Sequence, residues 1–434
     1  MKIGVISLGC AKNLIDTENL LGLLVDNDLE LEKDINKAEV IIINTCGFIE
    51  PAKEEAIKTI LDAAELKGSS LKKLIVMGCL AERYKEDLVK EMPEVDRFIA
   101  INEYENLGNI LSEVLGVKIS NNYGKAKRLL SGKPWMAYLR IADGCDNKCS
   151  YCAIPLIRGP LKSRDEEEII EEAKELVKSG VKEINLVAQD SSRYGYDLDG
   201  ELHLSSLLKK LDELEGIEWI RILYLYPDEI PDDLIDTIKN TKHVLPYFDI
   251  PIQHSSNRML KLMNRRGSKE LIIDRCQRIR RELPEAILRT TLITGFPSET
   301  HAEHEESLEL MKEIGFDHLG AFMYSKEEDT KAFEMDDDVP VDEKKRRLQE
   351  IVKLQEEITE SRLKSRIGLI DEAIIEKVDP LTNMFMARSS LYAPDEIDGF
   401  VLCAYKDGIE LGDIVKVKYK KVSGHNLIAD IIGE

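Results

Sequence analysis

The chain has 434 residues and a formal net charge of −22, because Asp and Glu total 82 while Lys and Arg total 60. At about 150 residues per domain, this length predicts about three domains. A protein that binds nucleic-acid phosphates in general needs a clustered basic face, and so acidic a chain does not fit that class. A basic protein partner fits its charge better. The hydrophobic content of 43% excludes intrinsic disorder as the main state.

The amino terminus, MKIGVISLGCAKN, is typical of a strand, and no stretch reaches about 18 apolar residues. We therefore expect no signal peptide, no membrane contact and a cytoplasmic location. In a reducing compartment, eight cysteines in so long a chain indicate metal or redox chemistry rather than a disulfide framework. They are Cys10, Cys46, Cys79, Cys145, Cys149, Cys152, Cys276 and Cys403.

Residues 1–116 alternate apolar runs with charged, helix-period segments, which predicts a doubly wound parallel sheet. The apolar runs are Ile3–Leu8, Val40–Ile43 and Leu74–Met77. A cysteine follows each run, at Cys10, Cys46 and Cys79. Because ligands in such sheets lie beyond the carboxyl ends of the strands, we expect these three cysteines to converge at one edge.

Residues 117–134 lose this periodicity and are interpreted as a linker or loose crossover. Residues 135–365 resume the alternation with six βα units, which predicts an incomplete β/α barrel, followed by a charged helix from about Val341 to Ser365. The predicted barrel strands are Ala137–Ile141, Glu183–Val187, Ile220–Leu225, Tyr247–Ile252, Leu288–Thr294 and Leu319–Tyr324.

Residues 366–434 change character, with five short alternating runs separated by Gly, Pro and Asp. Five strands in so few residues predict a small antiparallel β-barrel. This tail carries a net charge of −4, although Lys416, Lys418 and Lys420 share one strand face by their period of two. We interpret that row as a solvated edge.

The strongest local signal is GCDNKCSYC, which spaces Cys145, Cys149 and Cys152 as C-x3-C-x2-C just after the first barrel strand. Thiolates suit zinc or iron–sulfur clusters, and structural zinc needs four ligands. Three ligands on a cubane leave one iron open, at the end of the barrel where active sites lie. A zinc site completed by a distant ligand is the alternative.

This triplet on a six-unit barrel resembles the radical S-adenosylmethionine (SAM) superfamily. Tyr151 matches the aromatic residue that those enzymes place before the last cysteine. Two three-cysteine sets followed by a short β-barrel further resemble the methylthiotransferase family across essentially the whole chain. That family has an N-terminal cluster domain, a radical SAM barrel and a C-terminal TRAM barrel, and it converts a C–H bond into a methylthio group.

The resemblance implies two 4Fe–4S clusters and SAM as both methyl donor and radical source. Cys145, Cys149 and Cys152 would bind the radical cluster, and Cys10, Cys46 and Cys79 the cluster that delivers sulfur. An electron donor such as flavodoxin or ferredoxin is also implied.

Two branches of the family are distinguished by short motifs. The sequences AQDSSRYG and IPIQHSS are similar to the branch that modifies the β-carbon of an aspartate in small-subunit ribosomal protein twelve. The alternative branch modifies an adenosine of transfer RNA, and it typically has GQNVNSYG and LPVQSGS there. The acidic tail also makes nucleic acid an unlikely substrate. One departure is Ser298, where the family usually has Gly.

Candidate SAM contacts follow the barrel strands. We expect Gln189, Asp190, Gln253, Arg289 and Gly295 to contribute. Arg158 and Arg221 are candidates to pair through their planar guanidinium groups with a carboxylate, either that of SAM or that of the target aspartate, and we count Arg221 among the expected SAM contacts. For each of these residues, an ordinary polar group at a strand end is an equal alternative.

A rival from another class is a non-catalytic, zinc-containing ribosome-binding factor. It predicts zinc instead of iron and no SAM turnover.

Overall fold

The computed structural model describes residues 1–433. Its strands are β1 (Lys2–Ser7), β2 (Glu30–Leu31), β3 (Val40–Thr45), β4 (Lys73–Gly78), β5 (Arg97–Ile99), β6 (Met136–Arg140), β7 (Ala142–Asp143), β8 (Lys162–Ser163), β9 (Glu183–Val187), β10 (Trp219–Ile222), β11 (Val244–Asp249), β12 (Ile287–Thr294), β13 (His318–Met323), β14 (Ile370–Val378), β15 (Met384–Ser389), β16 (Val401–Ala404), β17 (Ile414–Ser423) and β18 (Asn426–Ile432).

The helices are α1 (Ala11–Asp26), α2 (Glu50–Ala64), α3 (Cys79–Glu91), α4 (Leu107–Leu115), α5 (Ile154–Arg158), α6 (Glu166–Lys178), α7 (Tyr196–Asp199), α8 (Leu204–Asp212), α9 (Asp232–Asn240), α10 (Asn257–Leu262), α11 (Lys269–Glu282), α12 (His301–Ile314) and α13 (Val341–Lys364).

The N-terminal sheet is parallel, with strand order β2-β1-β3-β4-β5, so the predicted doubly wound sheet is confirmed. Its central strand β3 reads VIIINT and is buried along its whole length. Alternate residues of β3 enter two apolar clusters, one shared with α1 and α4 and the other with α2 and α3. Burial on both faces explains its continuous apolar run. The three strands with terminal cysteines, β1, β3 and β4, are adjacent.

The central sheet has six parallel strands in the order β6-β9-β10-β11-β12-β13 and does not close, which confirms the incomplete barrel. One face packs against α6, α8, α9 and α11 in the largest apolar cluster. Strand β10 ends at Ile222, earlier than predicted, because Tyr224 turns the chain with a φ of +62°. Likewise β11 ends at Asp249, and Gln253 has a φ of +71°.

The C-terminal strands form a closed barrel in the order β14-β15-β16-β18-β17. Four pairings are antiparallel as predicted, but β16 pairs with β18 in parallel. The number of strands explains this difference, because directions cannot alternate all the way around a ring of five. Lys416, Lys418 and Lys420 are exposed on β17 as expected, but the interpretation as a sheet edge is wrong, because β17 pairs with both β14 and β18 in the closed barrel.

The segment 117–134 forms turns and irregular chain, as expected, but it is not loose. Arg128 lies 2.7 Å from Glu172 and 3.4 Å from Glu18, and it donates to the Tyr138 carbonyl at 2.8 Å. The backbone of this segment also runs close to α1, where a Cβ on Gly22 would come within 2.3 Å of the Lys127 carbonyl oxygen. The crossover is therefore fixed to both flanking domains.

The inward face of the six-stranded sheet packs against the C-terminal barrel in a second large apolar cluster. A buried ion-pair group crosses this interface. Arg388 of β15 pairs with Glu183 of β9 and, at 2.9 Å, with Glu376 of β14, while Arg221 pairs with Glu183 at 3.1 Å. None of the four is more than 4% exposed. Among residues 1–433, no helix is long and apolar enough to cross a membrane.

We expect Glu183→Gln to lower the free energy of unfolding by about 3–5 kcal/mol, because it leaves Arg221 and Arg388 buried with too little compensating charge. Lys377→Gln is the control, since Lys377 pairs with Glu396 on the surface and its loss should cost less than about 1 kcal/mol. Denaturant unfolding of the two variants measures the difference, and equal losses would contradict the prediction.

Candidate active site

The carboxyl ends of β1, β3 and β4 bring the first three cysteines together. Gly9, with a φ of +91°, precedes Cys10, and a Cβ at Gly9 would lie only 2.8 Å from the Cys46 Cβ. Asn13 ties the two strand ends, because its amide donates to the Leu8 carbonyl at 3.1 Å and to the Thr45 carbonyl at 3.0 Å. The close approach of Cys10 to Cys46 therefore requires a residue without a side chain at position 9.

Cys79 joins this group from the start of α3. It also follows a glycine, Gly78, with a φ of +101°. Its thiol lies 3.3 Å from the Asn13 side-chain oxygen. On its other side Cys79 packs against Ala153 and Ile157, next to the second cysteine set. Cys79 thus faces the central barrel.

The second set lies in the loop that follows β7. Cys145 again follows a positive-φ glycine, Gly144, where a Cβ would overlap the Pro160 carbonyl oxygen at 1.8 Å. The loop is pinned at Ser150, whose backbone N–H donates to the Met263 carbonyl at 2.9 Å. Tyr151 packs edge-on against Phe296, with the ring centroids 6.4 Å apart.

Cys149 has two polar neighbours from later strands and loops. The Tyr226 hydroxyl lies 3.7 Å from its sulfur, and the Arg265 guanidinium donates to the sulfur at 3.8 Å. Arg265 also stacks over the Tyr226 ring at 3.9 Å. Hydrogen-bond donors of this kind stabilise an anionic sulfur ligand.

The number of thiols in each set fits a cluster better than a structural zinc ion. Structural zinc takes four ligands, usually from cysteine and histidine. Each set supplies three cysteines, as in an iron–sulfur cubane that keeps one iron open.

The thiols differ in electrostatic environment. Burial raises the pKa of Cys79 to about 12 and that of Cys152 to about 12, and neighbouring thiols add to both shifts. Burial also acts to raise the pKa of Cys10, but Lys12 and nearby backbone N–H groups lower it overall. Cys276 and Cys403 lie apart in separate apolar clusters, 1% and 0% exposed, as expected of packing residues.

A buried ion-pair network joins the two cysteine sets, and we call it the seam network. It consists of Asp16 on α1, Arg140 and Asp143 on the barrel, and Arg158 at the end of α5. Asp16 lies 2.6 Å from Arg140 and 2.8 Å from Arg158, and Asp143 lies 3.1 Å from Arg158. Arg158 also reaches the Cys79 sulfur at 3.9 Å. One arginine next to the second cysteine loop therefore contacts a cysteine of the first set.

Gln189 and Asp190 lie at the carboxyl end of β9, beside the second cysteine loop. Gln189 donates to Asp143 at 2.9 Å, and Asn147 of the loop donates to Asp190 at 2.7 Å. The side-chain oxygens of Gln189 and Asn147 are buried without a hydrogen-bond partner among the described residues. Unpaired buried acceptors are costly unless a ligand pairs them, so this pocket fits a polar cofactor such as SAM.

Gln253 and Gly295 lie at the neighbouring ends of β11 and β12. The Gln253 backbone pairs with Thr291 at 2.8 Å and with Ile293 at 2.9 Å, which extends the sheet beyond β11. Gly295 adopts a φ of +71° and donates to Glu299. Ser298, in place of the family's glycine, keeps a left-handed φ of +64°.

The two strand arginines have other contacts. Arg221 is fully buried against Glu183 and donates to the Ser390 carbonyl at 3.1 Å. Arg289 lies 3.0 Å from Asp249 and 3.3 Å from Asp398. Both arginines thus connect the six-stranded sheet to the C-terminal barrel, and contact of either one with SAM stays a prediction.

Sequence reasoning missed several residues of the site: Lys12, Asp143, Asn147, Tyr226 and Arg265. Asp143 lies just before the cysteine motif and Asn147 lies within it, so their positions in the sequence could have indicated that they belong to the site. Arg265 carried no such signal, because the fold brings it to Cys149 from 116 residues away.

Comparisons with known proteins agree with this geometry. Residues 2–100 match the family described as "Uncharacterized protein family UPF0004", and residues 139–311 match the radical SAM superfamily. The fold resembles the radical SAM methyltransferase TsrM from Kitasatospora setae, with a TM-score of 0.54, 12% identity and 74% of each chain covered. It also resembles the SAM radical enzyme OxsB, with a TM-score of 0.53 and 12% identity over 71% of this chain and 51% of that one. The fold and the cysteine loop define a radical SAM enzyme, whose cofactors are a 4Fe–4S cluster and SAM.

Relatives with higher identity cover the whole chain. The protein named ribosomal protein uS12 methylthiotransferase RimO from Acetivibrio thermocellus is 43% identical over 100% of this chain and 99% of its own length. The protein of the same name from Aquifex aeolicus is 44% identical over 98% of this chain and 96% of its own. The chain belongs to the RimO family of radical SAM methylthiotransferases, and it is a transferase.

We expect Gly78→Ala to destabilise the N-terminal domain more than Gly68→Ala does. Both glycines have positive φ, +101° and +93°, so both variants incur backbone strain of about 1–3 kcal/mol. Only the new Cβ at position 78 meets neighbours, 2.3 Å from the Asn44 side-chain oxygen and 2.5 Å from the Thr45 carbonyl, whereas position 68 is open. An extra loss of about 1–3 kcal/mol, measured by denaturant unfolding, should accompany reduced iron loading. Equal stability of the two variants would contradict this account.

Proposed function

We propose that this chain adds a methylthio group to the β-carbon of an aspartate in ribosomal protein uS12. The relatives that share 42–45% identity are named ribosomal protein uS12 methylthiotransferases. The observation that carries the proposal is the seam, where Cys79 of the first set packs against residues that follow the second set and lies 3.9 Å from Arg158. The acidic chain is also suited to a basic ribosomal protein, because opposite charge accelerates encounter. A ribosomal substrate implies action in the cytoplasm.

Two 4Fe–4S clusters are part of the proposal. Cys145, Cys149 and Cys152 bind the radical cluster, and Cys10, Cys46 and Cys79 bind the second. When bound, the clusters and SAM supply the electron, the hydrogen-abstracting radical, the sulfur and the methyl group. The chain's own residues hold these groups in place and exclude water.

Within that arrangement Gln189, Asp190, Gln253 and Gly295 are the proposed SAM contacts. Arg265 and Tyr226 stabilise the anionic sulfur of Cys149. An electron donor of the flavodoxin or ferredoxin class completes the system. We divide the chain for this purpose into a cluster domain (1–116), a linker (117–134), the barrel (135–365) and the C-terminal barrel (366–434).

A paired anaerobic assay tests the substrate. Reconstituted enzyme, SAM and reductant are incubated either with uS12 or with bulk transfer RNA, and mass spectrometry detects an added methylthio group. We expect the mark on an aspartate of uS12 alone. A mark on adenosine alone would overturn the substrate assignment and leave the chemistry in place.

Single cysteine substitutions test the two clusters. We expect Cys149→Ala to abolish SAM cleavage while the N-terminal cluster remains, and Cys46→Ala to retain SAM cleavage while methylthio transfer is lost. Each variant should hold about four irons per chain, against about eight in the unsubstituted enzyme. Cys276→Ala is the control, because Cys276 lies in a separate apolar core and should leave the iron content unchanged. Zinc in place of iron, or cleavage by Cys149→Ala, would contradict the assignment.

A further inference from the structure

Lys12 carries a buried positive charge at the seam between the N-terminal domain and the barrel. It is 8% exposed. Its ammonium donates to the Ala188 carbonyl at 3.0 Å and lies 4.3 Å from the centre of the Tyr224 ring. Both partners are neutral, so neither compensates the charge.

The carboxylates near Lys12 form ion pairs with arginines. Asp16 pairs through one oxygen with Arg140 and through the other with Arg158, while Asp143 binds Arg158 and Gln189. Within residues 1–433, no carboxylate oxygen comes within salt-bridge distance of the Lys12 ammonium. With Lys12 included, the seam network has three cations and two carboxylates, in a chain whose net charge is −22. Cys10, the anionic neighbour of Lys12, is assigned to the first cluster, so the buried ammonium has no carboxylate partner of its own, which favours an anion from outside that completes this site.

The position of the ammonium relates it to the reaction. Lys12 is two residues from Cys10 of the first cysteine set. Ala188 directly precedes Gln189 at the carboxyl end of β9, and Tyr224 follows β10. The buried ammonium therefore lies at the carboxyl ends of β9 and β10, close to the first cysteine set.

We propose that Lys12 is a specificity-determining residue that binds the carboxylate of the target aspartate. This inference rests on the proposed function and deepens it. The carboxylate is attached directly to the β-carbon, so an ion pair with Lys12 fixes the position of the carbon that is modified. A neutral side chain of the same shape, such as asparagine, leaves the ammonium unpaired and is rejected.

Two sources could supply this carboxylate, the target aspartate or the methionine part of SAM. A binding cycle separates them. The affinity of SAM-loaded enzyme for uS12 is measured anaerobically with two forms of uS12, one unaltered and one with the target aspartate replaced by asparagine. The enzyme is tested unsubstituted and as Lys12→Gln and Lys12→Arg, with Lys174→Gln on the exposed face of α6 as the control. The affinity of each enzyme for SAM is measured separately.

We expect the unsubstituted enzyme to bind the aspartate form roughly 10- to 100-fold more tightly than the asparagine form. Lys12→Gln should remove that preference, Lys12→Arg should retain part of it, and Lys174→Gln should leave it intact. Weaker SAM binding by Lys12→Gln with an unchanged preference would assign the ammonium to SAM and overturn the proposal.

Equal losses for both forms of uS12 would also overturn the proposal, since a lysine that only balances charge at Cys10 does not distinguish the side chains. If Lys12→Gln does not fold, the test is the preference of the unsubstituted enzyme for the aspartate form of uS12 over the asparagine form. Equal affinities of that enzyme for the two forms would refute the proposal. Failure of the unsubstituted enzyme to modify uS12 at all is a different result, because it rejects the proposed function itself.

Discussion

The buried carboxylate of Asp16 is the contact through which the N-terminal domain is fixed to the barrel. One oxygen binds Arg140 on the first barrel strand, and the other binds Arg158, six residues after Cys152. Charge-assisted contacts of this kind are short and directional. Because Arg158 also reaches Asn13 and Cys79, this carboxylate helps to fix the relative position of the two cysteine sets. A second contact on the far side reinforces it, since Glu327 of the barrel binds Arg83 at 3.0 Å and Lys53 at 3.3 Å.

Glycine has the same task in both cysteine sets. Gly9, Gly78 and Gly144 each precede a cysteine and adopt positive φ, and in each case an added Cβ would meet an atom within 2.8 Å. The turn that ends the strand is therefore tight enough to present the following thiol at the strand end. At these three positions the residue before the cysteine must therefore be glycine. This holds both in the parallel sheet and in the loop of the central barrel.

Much of this architecture could be predicted from the sequence because its signals are local. The apolar run of β3 and the βα alternation require only neighbouring residues, and three cysteines at three strand ends follow from parallel topology. The contacts that select a ligand are not local. Arg221 resembled a cofactor ligand because it lies on a barrel strand, but its environment is set by Arg388 and Ser390, more than a hundred residues away. The ends of β10 and β11 were predicted too late for a related reason. The turns that follow these strands use Tyr224 and Gln253 in the left-handed conformation, and no glycine marks either turn in the sequence.

The interface between the two barrels also bears on the order in which the protein is made. Arg388, the buried counterion of Glu183, belongs to the last quarter of the chain, and β18, which completes the closed barrel, ends at Ile432. While the chain leaves the ribosome, the six-stranded sheet is therefore synthesised with its inward apolar face still exposed to water. That face can be buried only after β14 to β18 have been synthesised and have closed into their barrel.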